Sequence, residues 1–590
     1  MNKGTNIKNK LKLSRTFYLL FSIYNFLDLK TKKKVFFTFF LMMITAFFES
    51  ITILAVIPLI SKLIGLQQTN FSLEQSQKIS FLNFINDGNY TFFIILIIVS
   101  GLLKIYDLYN CTKLSVQSTH DLSKKTYLTI LKRPYDFHIY GEISELMATI
   151  TIYIRDTHEL IYNFLRLYSS FFILISLIIS LILVNVKIMI FSFTIVTSVY
   201  FLVGAYTKNK LTYTSSQQVI SSNQLAKIVQ ESLISIRELK IWNAYKLFSN
   251  NFTKIDWALR SSQRTRIFLA SFPRYVIETV GIITIAFICL FSKNFNSDAL
   301  SIIPVIGTFV LGIQRLLPSF NQIYQSWSFI NSFKESTKKI IEILKNNSSD
   351  VNESIIKSKY NLKSIIEFQN ITFKYPKCEN SIFKDISFKI YKGDKVAIKG
   401  KSGIGKSTLL DLISGMLVPD SGKILIDQRL LNKGTSNKFL LSWRSSLAYV
   451  SQNIYFMKGT FIENIAFGTN PEEIDLRRVK YVSKLAMIDD FINSKPKKYY
   501  DTVFENGRNL SGGQKQRLGI ARALYHSENM LIFDEATSAI DTLTEEKIFN
   551  NIFSSNKKIT LLIISHNPNT LSYCNKSIEI KGGKVIQNIS

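Results

Sequence analysis

The sequence predicts a multi-domain chain: an all-α membrane domain of six spanning helices, followed by an α/β domain. Three observations say so. At 590 residues the chain is too long for one domain. Its first 344 residues carry six apolar stretches that reach or approach the roughly 20 residues a bilayer requires. From Lys363 the composition becomes that of a soluble α/β domain, with short apolar strands alternating with Gly turns and helices. The expected divisions are a cytosolic or interfacial segment 1–34, a membrane domain 35–344, a linker 345–362 and the α/β domain 363–590.

Composition narrows the class. Hydrophobic residues make up 47% and mean hydropathy is +0.15, high for a soluble protein. Net charge is +30. Nucleic acid is set aside as a partner, because the polar-aromatic patches of an RNA-binding face are missing. Lys-rich cytosolic loops beside anionic membrane lipid account for the charge better. Cys111, Cys289, Cys378 and Cys574 are widely scattered, with no Cys-x-x-Cys and no zinc spacing, which predicts free thiols. No cleavable signal peptide is read. The run 17–27 is too short and too polar to span, and no A-x-A-like site follows it.

Residues 1–34 are basic, and 15–28 fit an amphipathic helix lying on the membrane surface. The spans are 35–64, with Glu49 and Pro58 inside it, then 91–110, 168–185, 186–206, 272–292 and 300–320. A tight turn at 185–187 separates the third from the fourth. The loops 111–167 and 207–271 are long, polar and helix-compatible, which predicts helices continuing well past the membrane. Helical periodicity runs over 324–344, and 345–361 is a Ser-, Asn- and Lys-rich linker. Lys and Arg set the topology. Twenty fall in 30–34 and in the loops 111–164 and 207–270, against Lys78, Lys187 and Lys293 on the other side. The rich side is cytoplasmic. Both termini and the α/β domain therefore face the cytosol, in a multi-pass protein of the cytoplasmic (inner) membrane.

Residues 400–407 read GKSGIGKS and match G-x-x-x-x-G-K-[ST], between an apolar strand 395–399 and an apolar helix from Thr408. Such glycines let backbone N–H groups wrap phosphates, with Lys406 on the β- and γ-phosphates and the Ser407 hydroxyl on Mg²⁺. Further on, 510–541 reads LSGGQKQRLGIARALYHSENMLIFDEATSAID. The turn Ser511, Gly512, Gly513, with Gln514 behind it, opens a helix whose positive end suits a phosphate. The apolar strand 530–533 ends in Asp534 and Glu535, a pair suited to a metal and a water beside that phosphate. Asp534 would hold Mg²⁺ through water, and Glu535 would be the general base. Other residues are bland when taken alone. Tyr375 in ITFKYP can stack on adenine or simply pack, Gln452 in AYVSQNIYFMKGT can orient water or ligate Mg²⁺, and His566 ends a buried apolar strand.

LSGGQ followed by an apolar strand and Asp-Glu resembles the signature and Walker B segments of ABC-type ATPases. The order Tyr375, 400–407, Gln452, 511–514, Asp534, Glu535, Asp541, His566 is similar to that family over 363–590. The resemblance implies ATP and Mg²⁺ as cofactors. It implies that Glu535, His566 and Gln452 are catalytic, with His566 on the γ-phosphate and Gln452 in a Q-loop that senses the membrane domain. Nucleotide would be held by Tyr375, Gly400, Ser402, Gly403, Gly405, Lys406, Ser407, Thr408, Ser511, Gly512, Gly513, Gln514 and Asp541, the last in a D-loop linking two halves. Metal would be held by Ser407, Gln452 and Asp534. SAID for the commoner SALD, and ISHNPNTL without the usual Arg after the His, are departures that remove no catalytic group. In this family ATP lies between two ATPase domains, the signature of one facing the phosphate loop of the other. One membrane domain and one ATPase domain make half a transporter, and a homodimer is the simplest completion.

Six spans with long cytosolic extensions resemble the exporter-type ABC membrane domain. Segments 132–147 and 235–247 are candidates to touch the ATPase, the second across the pair. Charges within spans are costly and usually functional. Lys104, Arg315 and Arg274 lie roughly 20, 22 and 27 Å inside the outer ends of their spans, at about 1.5 Å per residue. Such cations suit a lipid phosphate or pyrophosphate headgroup. The competing reading is pairing of Arg274 with Glu278, pairing of Arg315 with Glu49, and a snorkelling Lys104. FFESITILAVIPLISKL (47–63), FPRYVIETVGI (272–282) and FVLGIQRLLPSFNQI (309–323) resemble the matching stretches of bacterial lipid-linked oligosaccharide flippases serving protein N-glycosylation. That resemblance implies a polyprenyl-pyrophosphate glycan flipped outward at the cost of ATP, with membrane lipid around it. Two alternatives stay open. One is export of a peptide, protein, drug or other lipid, and the lack of a peptidase-like stretch before the spans counts against bacteriocin-type export. The other is a membrane ATPase acting as gate or sensor, which intact Glu535 and His566 count against.

Overall fold

The computed structural model describes residues 14–56, 90–184, 186–292, 299–345, 359–376, 378–432, 435–527, 530–556, 558–565 and 567–589. They fall into two compact units, one drawn from 1–133 and 140–348, the other from 134–139 and 349–590.

The first unit is helical. Its main elements are α1 (Ser14–Phe26), α2 (Leu29–Leu54), α3 (Tyr90–Leu131), α4 (Ile154–Val184), α5 (Val186–Ile234), α6 (Tyr245–Ser292) and α7 (Ala299–Lys345). Short helices Ile143–Ala148 and Ile236–Ile241 lie within the two long loops. At 42 to 49 residues, α3, α5, α6 and α7 run roughly 63–74 Å at about 1.5 Å per residue, twice the hydrocarbon thickness. The predicted spans and their polar extensions are thus single helices. No Gly or Pro interrupts 111–131, 207–234 or 321–345, so polarity changes along the helix while the backbone does not. By length and composition, the helical stretches Leu29–Leu54, Thr91–Leu131 and Ile143–Leu183 could each cross a membrane. The other three candidate spans lie inside α5, α6 and α7. Residues 57–64 of the first candidate span, and Asn185 of the predicted turn, lie outside the described residues. α1 buries Leu19 and Ile23 and exposes Tyr18, Phe21 and Tyr24, the two-sided character of an interfacial helix. Its buried face joins Met42, Cys111, Leu122, Tyr153, Leu160 and Phe333 in one apolar core.

The second unit is α/β. Its strands are β1 (Ile365–Phe373), β2 (Phe383–Tyr391), β3 (Lys395–Lys399), β4 (Ser421–Ile426), β5 (Arg429–Leu430), β6 (Leu447–Val450), β7 (Gly459–Thr460), β8 (Thr502–Val503), β9 (Met530–Asp534), β10 (Thr560–Ile564), β11 (Lys576–Lys581) and β12 (Lys584–Ile589). An antiparallel sheet runs β2-β1-β4-β5, and a six-stranded sheet runs β12-β11-β3-β10-β9-β6. In the larger sheet only β12 is antiparallel to its neighbour. β9 and β10 are buried at every position, as their continuous apolar runs require of strands covered on both faces. One face packs on Leu518, Ile548 and Phe549, the other on Leu409, Ile413 and Trp443.

Candidate active site

Strand register brings the sequence-predicted residues together. Ile564 of β10 pairs with Ile398 of β3 and with Asp534 of β9. The segments leaving these strands therefore emerge side by side at one edge of the sheet, where such sheets bind ligands.

From β3 the turn 400–405 leads into α8 (Lys406–Ile413). Gly405 stands at φ +108, and a Cβ there would lie 2.5 Å from Ile382 Cγ2, so only glycine closes this turn. Lys406 is buried, and its Nζ donates to the carbonyls of Gly400 (3.0 Å) and Lys401 (3.5 Å). A glycine turn at a helix start, with an ammonium folded over it, fits a phosphate chain. Ser407 donates its hydroxyl to Asp534 Oδ1 (3.2 Å). Tyr375 stands edge-on to Phe373, and its hydroxyl lies 3.1 Å from that of Thr408. The predicted adenine-stacking ring is therefore held against the helix of the phosphate loop.

Glu535 leaves β9 at φ +50, with its N–H bound to the Ile564 carbonyl (3.2 Å). A left-handed non-glycine residue costs on the order of 1–3 kcal/mol, and such strain gathers at working sites. The Glu535 side chain meets Gln452, whose Nε2 donates to Oε2 at 2.6 Å. Burial raises Asp534 above the ordinary carboxylate range; the Glu535 charge adds to this and the Ser407 bond opposes it. Asp411, one turn beyond Ser407, is pushed up to about 6 by burial and by Asp534. The Ser407 hydroxyl beside the Asp534 carboxylate offers hard-oxygen donors of the kind Mg²⁺ takes. Two neighbours escaped the sequence reading. Asp411 is detectable as four helical residues past Ser407. Tyr449, whose hydroxyl lies 3.5 Å from Asp534 Oδ2, sits on β6, and no local pattern announces the pairing of β6 with β9.

The signature has its own set of bonds, separate from those of the phosphate loop. Ser511 caps α9 (Gly512–His526) in a box with Gln514: the Ser511 hydroxyl accepts the Gln514 N–H (3.3 Å), and Gln514 Oε1 accepts the Ser511 N–H (2.9 Å). Ser511 and Gly512 are exposed. Among the described residues, no hydrogen bond joins 511–514 to 400–408. Asp541 caps α10 (Thr542–Ser555), accepting the Thr544 N–H (3.0 Å). His566 lies outside the described residues. Its neighbour Asn567 donates to the buried Glu545 (2.8 Å).

In the first unit two of the three predicted cations meet. Glu49 Oε1 accepts from Lys104 Nζ (2.7 Å) and Arg315 Nη1 (3.0 Å), and Oε2 accepts from the Ser100 hydroxyl (2.8 Å). Arg315 Nη1 also donates to Thr52 (2.7 Å). The pairing of Arg315 with Glu49 is as the competing reading had it, whereas Lys104 turns to Glu49 instead of snorkelling. Two cations on one carboxylate leave one positive charge. Glu49 is 2% exposed, Lys104 45% and Arg315 36%, so the carboxylate lies beneath and the cations face outward. Arg274 stays on its own helix, paired with Glu278 (2.7 Å).

The ABC transporter family matches residues 383–538. Over 95% of both chains, the fold agrees with a solved bacterial Atm1-family ABC exporter with ATP bound, at TM-score 0.77 and 20% identity. The chain has the ABC exporter fold. It is the fold class read from the sequence, a helical membrane unit followed by an ABC-type ATPase domain. The Lacticin-481/lactococcin-DR transport/processing ATP-binding protein of Lactococcus lactis subsp. lactis is 27% identical over 79% of this chain and 65% of its own length. The ATP-dependent lipid A-core flippase of Escherichia coli K12 is 28% identical over 62% of this chain and 61% of its own. That of Bordetella avium 197N is 27% identical over 63% of this chain and 62% of its own. The chain thus spans less than two thirds of the length of these curated relatives.

Proposed function

We propose that this chain is half of an ATP-driven exporter that pairs with a second copy of itself in the cytoplasmic membrane. Its domains are the segment 1–34, the membrane domain 35–344, the linker 345–362 and the ATPase 363–590, with both termini cytosolic. The observation that carries the ATPase reading is the convergence of Ser407 on Asp534 and of Gln452 on Glu535 beside the phosphate loop. Tyr375 takes the adenine, and the N–H groups of 400–405 with Lys406 take the phosphates. Ser407, Asp534 and Gln452 would hold Mg²⁺, which supplies charge neutralisation at the phosphates. Glu535, oriented by Gln452, accepts the proton of the attacking water, and His566 contacts the γ-phosphate. The exposed turn 511–514 offers its N–H groups to the nucleotide of the partner subunit.

For the substrate we propose a lipid-linked oligosaccharide, a polyprenyl-pyrophosphate glycan, flipped outward. Support comes from the surplus positive charge of the Lys104–Glu49–Arg315 cluster, which matches such a headgroup in sign, with Arg274 as a further contact. The name of the Lactococcus relative favours a second reading, peptide export. A gating or sensing ATPase is less well supported, since Glu535 is present and oriented. Proteoliposomes offered lipid-linked glycans or peptides separate these: stimulated hydrolysis and flipping with the glycans are expected, and stimulation by peptide alone would refute the substrate. Arg315→Gln leaves Lys104 on Glu49, so its Tm should change little while glycan stimulation falls about tenfold, the loss of one desolvated charge contact. Glu49→Gln removes the buried partner of two cations and should lower Tm clearly. Full stimulation in Arg315→Gln, or equal loss of Tm in both variants, would make the cluster a structural bridge.

A further inference from the structure

Within one subunit, the signature turn and the loop after the catalytic carboxylate are bonded into a single body. Gln516, buried on α9 two residues past the signature, donates Nε2 to the Ser538 hydroxyl (3.0 Å) and accepts the Ala539 N–H on Oε1 (2.7 Å). Both ends of one amide are used on the loop 538–541. The signature glycines make room for the same contact. A Cβ on Gly513 would lie 2.9 Å from the Ala539 carbonyl oxygen, and one on Gly512 would lie 3.2 Å from Ala539 Cβ. Neither glycine has a left-handed φ, so at Gly513 it is the loop backbone that excludes a side chain, while at Gly512 the fit is tight. At its near end the loop is tied to Glu535, whose carbonyl accepts the Ser538 N–H (3.4 Å). At its far end Asp541 anchors it to α10. A short bonded path therefore runs from the signature to the backbone of the catalytic base.

We propose that Gln516 is a positioning residue that couples the two ATP sites of the paired exporter. This rests on the composite-site reading above. In that pair a subunit's signature closes on its partner's nucleotide, while its Glu535 acts on its own. A buried amide with both groups engaged cannot release Ser538 or Ala539 without leaving unsatisfied polar atoms. When the signature moves to engage the partner's phosphate, it carries 538–541 with it and resets Glu535. Engagement at one site thus arms the other.

The test uses the full chain in proteoliposomes and reads ATP hydrolysis against ATP concentration. Gln516→Leu keeps most of the volume and removes both bonds. Gln516→Glu keeps an acceptor for the Ala539 N–H and lets the Ser538 hydroxyl donate in its turn. Wild type is expected to show a Hill coefficient above about 1, because engagement at one site favours the other. Gln516→Leu should fall to about 1, with kcat roughly tenfold lower, about 1.4 kcal/mol at the transition state. ATP binding without Mg²⁺ should stay within about twofold, because this amide bonds to no group of the phosphate loop. Gln516→Glu should regain most of the cooperativity, which mere filling of space would not restore. Cooperative hydrolysis by Gln516→Leu overturns the proposal, as does non-cooperative hydrolysis by wild type. If Gln516→Leu fails to fold, Ser538→Ala, which removes one bond at an exposed loop, must show the same loss in smaller measure. Wild type without any hydrolysis would instead sink the ATPase reading, a separate result.

Discussion

Glu535→Gln will bind ATP as wild type does and hydrolyse it roughly 10²–10⁴-fold more slowly, the range that a lost general base accounts for. Binding is spared because the groups proposed to grip nucleotide, Tyr375 and 400–408, bond among themselves and to Asp534. The amide has the size of the carboxylate but no basic lone pair for the proton of water. Asp534 and Ser407 are untouched, so the metal donor set stays intact. With the chemical step blocked and binding intact, paired domains should accumulate with nucleotide trapped between them. Single-turnover hydrolysis and the stoichiometry of retained ATP check this. Wild-type turnover in Glu535→Gln would remove Glu535 from the role of base and leave Gln452 orienting a bystander.

The phosphate loop and the carboxylate pair were legible because each is local. Gly405 must be glycine for the turn it makes, and Asp534 and Glu535 end a strand whose apolar run announces its burial. Helix length was legible too: 111–167 and 207–271 read as helices continuing past the membrane, and α3 and α5 run on to Leu131 and Ile234. The break after Ile234 was not legible, because no Gly or Pro announces it. Two pairings of the membrane unit, Arg274 with Glu278 and Arg315 with Glu49, were readable as the competing reading. That Lys104 joins Arg315 on Glu49 follows from the packing of α2, α3 and α7, which periodicity on any one helix does not give. Gln516 was the least legible. Its partners lie 22 and 23 residues away on an irregular loop, and its neighbourhood in sequence looks like the rest of a polar helix face.

On a Glu535→Gln background, a pair carrying Lys406→Ala in one subunit and Ser511→Arg in the other should trap one nucleotide, whereas a pair with both substitutions in the same subunit should trap none. Lys406 is the buried ammonium of the phosphate loop, and its loss removes a charge-assisted contact to phosphate. Ser511 is exposed at the start of α9; arginine there costs a helix cap of about 1 kcal/mol and fills the turn that would face phosphate. If each ATP needs the loop of one subunit and the signature of the other, the split arrangement puts both defects in one site and leaves the second site whole. Joining both substitutions in one subunit spoils one component of each site. Were each site built within one chain, the results would reverse: the split pair would trap nothing, and the joined pair would keep its wild-type half. Retained nucleotide is the right measurement, because turnover by a single intact site would also depend on the coupling assigned to Gln516. Differential tags on the two subunits isolate each pair. Trapping by the joined pair and not by the split pair would refute the composite site, and with it the argument for a dimer.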